Sequence, residues 1–265
     1  MHARHWALVS VVGASLTLVL TGCSSSPKTA TTSAGNSASS SGATGTAPSS
    51  TSPTSESGSF YDAIAVGNTW TYSTDYGLTS LGVVTDTERM TAVTATADGT
   101  QATISRSFHY KKGKQADFVS TATYLFHKDG SVTVPYQNIG TGIQIHVKSG
   151  SIQWPTPAEF AAGTPKTGQI VAVATLNGTT INETINFVTK GAGTSSVTVP
   201  AGTYTAHVLN QSVSISVNGS STGQPIDTVS YMAPGTGMVK SIVKSSKLAP
   251  GSSDVTTVLT SFTHG

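Results

Sequence analysis

Four Asx-Gly pairs, Asp98-Gly99, Asp129-Gly130, Asn177-Gly178 and Asn218-Gly219, punctuate this 265-residue chain. Tight hairpin loops select such pairs, because both central residues take positive φ, which Gly adopts freely and Asn or Asp tolerates. Each pair therefore turns the chain back on itself, so the flanking segments are consecutive antiparallel strands and not the arms of a crossover. The segments agree, since Thr, Val, Ser, Ile and Tyr dominate them and apolar residues recur at every second position. Ala102, Ile104, Phe108 and Tyr110 share one strand face, interrupted by Arg106. Ile143, Ile145 and Val147 alternate with Gln144, His146 and Lys148, and Ile181, Ile185 and Phe187 alternate with Asn182, Thr184 and Asn186. Thr205, His207 and Leu209 share a side with Val213, Ile215 and Val217, which makes a strand long enough to bend.

The fold class that follows is mainly β: a curved antiparallel sheet of about 10–12 strands, closing as a half-barrel, barrel or sandwich. One short helix is expected. Thr156-Pro157-Ala158-Glu159 carries a capping-box pattern with Pro at the first helical position, and Gly163 supplies the stop. Phe160, with Trp154 just before the cap, would plug one side of the sheet.

The N-terminus has a different character. Residues 1–22 divide into a short n-region with Arg4, an apolar run over residues 6–20, and the small residues Thr21-Gly22. The apolar run is shorter than the ~20 residues a helix needs to cross a bilayer core. Leu20-Thr21-Gly22-Cys23 resembles the lipobox of bacterial lipoproteins, and Cys23 is the single cysteine of the chain. The resemblance implies a covalent diacylglycerol on the Cys23 thiol, cleavage before it, and an N-acyl chain (a palmitate-type anchor) on the new terminus. Each buried methylene contributes ~0.8 kcal/mol, so two or three chains hold a protein to a membrane where one does not. A lone cysteine also rules out an internal disulfide and any C-x-x-C chemistry.

Residues 24–57 consist almost wholly of Ser, Thr, Ala, Gly and Pro, with Lys28, Asn36 and Glu56 as the exceptions. With no large apolar side chain to bury, such a segment cannot offset its ordering entropy and acts as a spacer of roughly 30–35 Å reach. The expected organisation is a lipoprotein signal peptide (1–22), a lipidated Cys23 with a disordered linker (23–57), and a single β-domain (58–265). The charge is nearly balanced, 14 Lys and Arg against 12 Asp and Glu, with no basic stripe for nucleic acid. Lys111, Lys112 and Lys114 read as a solvated hairpin tip.

Three further segments carry a resemblance: Gly67-Asn68-Thr69-Trp70-Thr71-Tyr72, Val199-Pro200-Ala201-Gly202-Thr203-Tyr204, and Tyr231-Met232-Ala233-Pro234-Gly235-Thr236-Gly237-Met238-Val239-Lys240. Their order resembles a group of bacterial envelope proteins, many of them lipoproteins of unknown function, with a G-N-x-W-x-Y start, a central V-P-A-G-T-[FY] and a late Y-x-A-P-G-x-G-x-V-K. The resemblance implies a curved sheet, loosely similar to lipoprotein-carrier half-barrels, and brings no catalytic residues. As chemistry the motifs read as architecture: Trp70 and Tyr72 anchor the first strand in the core, and Pro and Gly set sharp turns in the other two.

Candidate reactive groups are few. His109 and His127 flank one expected hairpin and would meet across it, but no third metal ligand accompanies them, so no metal site is assigned. Asp86 and Glu88 share one strand face, with Arg89 opposite. The plain reading is an exposed acidic strand face, and the sharper one is a carboxylate pair for acid–base chemistry. No H-E-x-x-H motif occurs, and serine is so abundant that no catalytic triad can be picked out.

The leading expectation is a non-enzymatic exported lipoprotein, anchored by Cys23 to the bacterial cell membrane or, where the cell has one, the outer membrane. Its β-domain would bind a lipid or other apolar ligand in the cell envelope. The alternative is a structural or interaction lipoprotein that docks an envelope protein partner without a small-molecule ligand. A hydrolase using Asp86 and Glu88 ranks third. Beyond the covalent lipid on Cys23 no cofactor is expected.

Overall fold

The structure is a computed structural model and describes residues 9–11, 16–18, 59–76, 83–111, 117–136, 143–176, 179–221, 223–244 and 253–265. The lipobox residues Leu20, Thr21, Gly22 and Cys23, the linker, Lys112, Lys114 and Asn177-Gly178 lie outside the described residues. Within the N-terminal apolar run, β1 (Val9–Val11) and β2 (Leu16–Leu18) pair as a separate two-stranded sheet.

The main sheet is wholly antiparallel and, among the described residues, has fourteen strands. Its first block is β3 (Thr69–Asp75), β4 (Val83–Ala95), β5 (Gly99–Tyr110), β6 (Phe118–His127), β7 (Val132–Val134) and β9 (Ile152–Trp154). The second block is β8 (Ile143–Ser149), β10 (Lys166–Leu176), β11 (Thr179–Val199), β12 (Gly202–Val217), β14 (Ile226–Ala233), β15 (Gly237–Val243) and β16 (Val255–Thr263), with the two-residue β13 (Ser220–Ser221) on the side of β12. The surplus over the 10–12 strands expected lies in β7, β9 and β13, of three, three and two residues, which are too short to show a period.

Each block is a meander, and two joints connect them. The first is the β16–β3 ladder, which sets the last strand beside the first one of this sheet, Phe262 opposite Trp70 and Leu259 opposite Tyr72. The second is covalent. β8 and β9 are the two ends of the strand order, yet they are consecutive in the chain, separated by Gly150 and Ser151 alone. Ser149 and Ile152 are thus at most ~11 Å apart, which obliges the sheet to curl. The corner is built on Gly150, with φ 83°, where a Cβ would collide with the Gln169 carbonyl of β10. The result is a rolled sheet whose edges meet at a corner without closing by hydrogen bonds.

Local chemistry explains the remaining elements. Asp98-Gly99, Asp129-Gly130 and Asn218-Gly219 stand at the β4–β5, β6–β7 and β12–β13 turns, but only Asn218-Gly219 has both residues at positive φ (48° and 81°), as a two-residue hairpin loop requires. Asp98 and Asp129 do not, and at the first turn the two-residue loop is Ala97-Asp98, closed by Thr96 and Gly99. Helix α1 (Pro157–Ala162) has both capping-box bonds: Glu159 N–H donates to Thr156 Oγ1 (3.1 Å) and Thr156 N–H to Glu159 Oε2 (2.8 Å). Gly163 ends it in the left-handed region. Phe160 is buried and rests on Gly191 of β11, where any side chain would strike its ring and carbonyl.

The concave face is filled. Leu209, Val213 and Ile215 of β12 pack inward, as do Ile185 and Phe187 of β11. A bulge between Gly191 and Thr194 reverses the buried face of the distal hairpin, so that Thr205 is exposed while Val197, Val199 and Ala206 are buried. The hairpin tip reaches β16, where Ala201 N–H donates to Leu259 O (3.2 Å). One row of this interior is polar. Thr189, Gln211 and Thr228 are register neighbours across β11, β12 and β14, and Ser241, Thr257 and Thr74 across β15, β16 and β3. All six are buried. Gln211 donates to Thr189 (3.3 Å), the Thr74 and Thr257 hydroxyls are 2.9 Å apart, and the Thr228 and Ser241 hydroxyls have no partner among the described residues.

Candidate functional site

The other polar part of the interior is charged, and it lies in the first block. Strand alternation points Trp70 and Tyr72 of β3, Asp86 and Glu88 of β4, Ile104 and Arg106 of β5, and Tyr124 of β6 to the same concave face. Glu88 and Arg106 are direct register partners, brought opposite one another by the β4–β5 turn together with a register shift between Met90 and Ala92. Arg106 Nη2 donates to Asp86 Oδ2 at 2.6 Å, and Arg106 Nε lies 2.8 Å from Glu88 Oε1. The guanidinium also sits over the Phe108 ring, 5.1 Å from its centroid. Side-chain exposure is 1 % for Asp86, 5 % for Arg106 and 14 % for Glu88.

The exposed acidic strand face is therefore corrected. Asp86 and Glu88 do share a face, but it is the inner one, and the residue that interrupts the apolar face of β5 is their counter-ion. Burying one charge alone is prohibitive, whereas three charges on adjacent strands can satisfy one another. Burial works against the Arg106 charge, but the two carboxylates more than offset it and hold the guanidinium firmly protonated.

A third carboxyl joins them that strand reasoning did not find. Residues 59–66 run from the linker to β3 without pairing in the sheet, and they insert side chains beneath it. Tyr61 is completely buried, donates from its hydroxyl to Pro155 O (2.6 Å) and meets Trp154 edge-on at 5.2 Å. Asp62 follows it into a cavity of about 30 Å³, bounded by Trp70, Tyr72, Glu88, Tyr124, Trp154 and Met238 among others. That is room for about one water molecule. The carboxyl lies against Gly237, the second glycine of the late turn motif, where a Cβ would overlap Asp62 Oδ1, and Trp70 Nε1 donates beside it to Thr236 O. Burial raises the Asp62 carboxyl to about 7. Burial also raises Glu88; Arg106 opposes that rise, and Asp86 and Asp62 reinforce it. The Tyr72 and Tyr124 phenols are pushed up by burial and by the surrounding carboxylates, so both stay protonated.

The other candidates stay apart. His109 and His127 do not meet: the β5–β6 ladder opposes His127 to Gly99, while His109 lies past Phe108 at the other end. At ~3.4 Å per residue they are about 30 Å apart. His109 Nδ1 is 2.7 Å from Asp117 Oδ2 on the surface, and His127 Nε2 is 2.7 Å from Thr133 Oγ1. Among the described residues no three His, Cys, Asp or Glu side chains are placed to hold a metal ion. Lys111 is exposed, as a hairpin tip requires, and Trp70 and Tyr72 are core anchors, each 2 % exposed.

With fold and site in place, the class of protein can be stated: a rolled, edge-joined antiparallel sheet with a filled interior. The chain belongs to the DUF3108-like family, whose model matches residues 67–246. Its fold is similar to that of a protein from Bacteroides fragilis, inferred to be exported and described as having a YmcC-like fold, at 14 % identity and TM-score 0.55 over 78 % of this chain and 100 % of that one. It is equally similar to a protein from Parabacteroides distasonis inferred to be a lipoprotein, at 14 % identity and TM-score 0.56 over the same shares. No curated protein matches the sequence significantly.

Proposed function

We propose that this chain is an exported lipoprotein of the bacterial cell envelope, anchored through lipidated Cys23, whose β-domain docks a protein partner by its outer surface and performs no chemistry. The filled concave face carries this reading. A pocket for a drug-sized or acyl ligand needs roughly 300 Å³ or more, and the cavity beside Asp62 has about 30 Å³. The remainder of that face is occupied by the chain's own Tyr61, Trp154, Phe160, Phe187 and Leu209. Asp86 is fully buried and ion-paired, so a carboxylate pair acting on an envelope polymer has no access to its substrate. The lipobox pattern, the spacer behind it and the two structural relatives, described as exported and as a lipoprotein, support the location.

In-cell crosslinking of the full chain, followed by native mass spectrometry of the detergent-extracted protein, tests the reading. It expects one dominant crosslinked envelope protein and no lipid beyond the mass added at Cys23. Stoichiometric non-covalent lipid without a protein partner would overturn it in favour of the lipid-binding alternative. Replacing Cys23 by Ser should release the chain from the membrane fraction.

A further inference from the structure

Residues 59–66 connect the spacer to the sheet, and side chains hold them in place where ladder bonds do not. Ser59 Oγ accepts from the Tyr61 and Asp62 amides (3.2 and 2.9 Å), Phe60 stacks on His207 with ring centroids 4.0 Å apart, and Tyr61 donates to Pro155 O. Between these contacts the Asp62 side chain enters the cavity that Glu88 also faces. Among the described residues it receives no hydrogen bond there, and Arg106 is engaged by Asp86 and Glu88.

We propose that residues 59–66 form a proton-controlled strap: Asp62 docks in the cavity as the neutral acid beside Glu88, and loss of its proton to water frees the strap from the concave face. The argument is one of geometry and charge. A carboxylate without hydrogen bonds, in an aromatic cavity beside a second carboxylate, is costly, whereas a carboxylic acid there is neutral and can donate. Burial holds the Asp62 proton up to a pH of about 7 against an ordinary 3.8, so docking is favoured fully below about pH 4 and loses that support as pH rises through 7.

The groups facing the strap are Glu88 and Asp86 on β4, Arg106 on β5, the protonated Tyr72 on β3 and Tyr124 on β6, Glu159 on α1 opposite Tyr61, and His207 on β12 under Phe60. Of these His207 works in the other direction. Burial lowers it, so the stack under Phe60 is favoured as pH rises and the imidazole becomes neutral. A freed strap would lengthen the tether by up to roughly 25 Å and expose the rings of Trp154, Phe160 and His207.

Hydrogen exchange on the full chain, corrected for intrinsic rates and read by mass spectrometry at pH 5 and pH 8, tests this. Protection over residues 60–65 should fall by roughly tenfold or more at pH 8, while β4 and β5 keep theirs. Asp62→Asn should hold the strap docked at both values, with a flat or slightly inverse dependence left by His207. Tyr61→Phe should lower strap protection at both without changing their ratio. Equal wild-type protection at pH 5 and 8, an undiminished fall in Asp62→Asn, or a fall that extends through β4 and β5 would each overturn the proposal.

Discussion

The concave face hides polar groups in two ways. In the first block it gathers the buried Asp86 and Arg106 with the partly buried Asp62 and Glu88 around a small cavity. Across the second block and the β16–β3 joint it buries a row of hydroxyls and one amide, from Thr189 to Thr74. The charged site hangs on Arg106, since removing it strands two carboxylates at once in a medium that cannot solvate them. The hydroxyl row depends on local pairs, and two of its members, Thr228 and Ser241, have no hydroxyl partner among the described residues. Equal burial therefore does not mean equal contribution. What matters is whether a group's loss leaves an orphan behind.

Substitutions can break that contrast or sharpen it. Arg106→Met should be the most damaging, costing about 3–5 kcal/mol in urea unfolding, because Asp86 and Glu88 lose their counter-ion together. The next largest effect should be a pH slope. Asp62, Glu88 and Glu183 are all raised by burial, so the folded state holds protons that the unfolded chain has released. Stability should then fall by ~2 kcal/mol between pH 5 and 8, and Asp62→Asn should flatten that slope. In the hydroxyl row, Thr74→Val alone should cost about 1–2 kcal/mol by orphaning Thr257. The double change Thr74→Val with Thr257→Val should return to within ~0.5 kcal/mol of wild type and leave the pH slope untouched. Thr228→Val should be the smallest and of opposite sign, neutral or stabilising by less than ~1 kcal/mol, since no partner is lost. A cost above 2 kcal/mol there would show that the row works as a unit and erase the distinction.

Legibility in the sequence followed the range of the interactions. The α1 cap and the three described Asx-Gly turns are set by residues three or fewer apart, and the strands turn where the pattern places them. The Glu88–Arg106 pairing was only half within reach. Each is the odd residue of its strand, but counting outward from Asp98-Gly99 sets Glu88 against His109. The loop centres on Ala97-Asp98, and a bulge between Met90 and Ala92 shifts the register again to bring Arg106 opposite Glu88. Taking Asp86 and Glu88 as solvated treated two polar interruptions separately, when each explains the other. Asp62 had no comparable signal, because it lies in a segment without period whose position is fixed by Gly237, far along the chain. The Gly150 corner was equally silent, since Ser-Gly-Ser reads as a loop whether it joins two neighbouring strands or the two ends of a sheet.

The placement of β16 beside β3 has a consequence for the order of events in folding. One side of β3 waits for a partner from near residue 260, so Trp70 and Tyr72 cannot finish their packing until that distant strand is made. The hairpins of either block can form as they appear, but the seam between them closes only when residues near 260 arrive. Even then Gly265 N–H must reach Asn68 Oδ1, at 3.0 Å, to complete it. Such late, non-local closure slows folding. It leaves the seam open to proteases or to a chaperone until that region is delivered. A deletion of a few C-terminal residues would thus act on the middle of the sheet, where trimming an end would ordinarily touch only an edge.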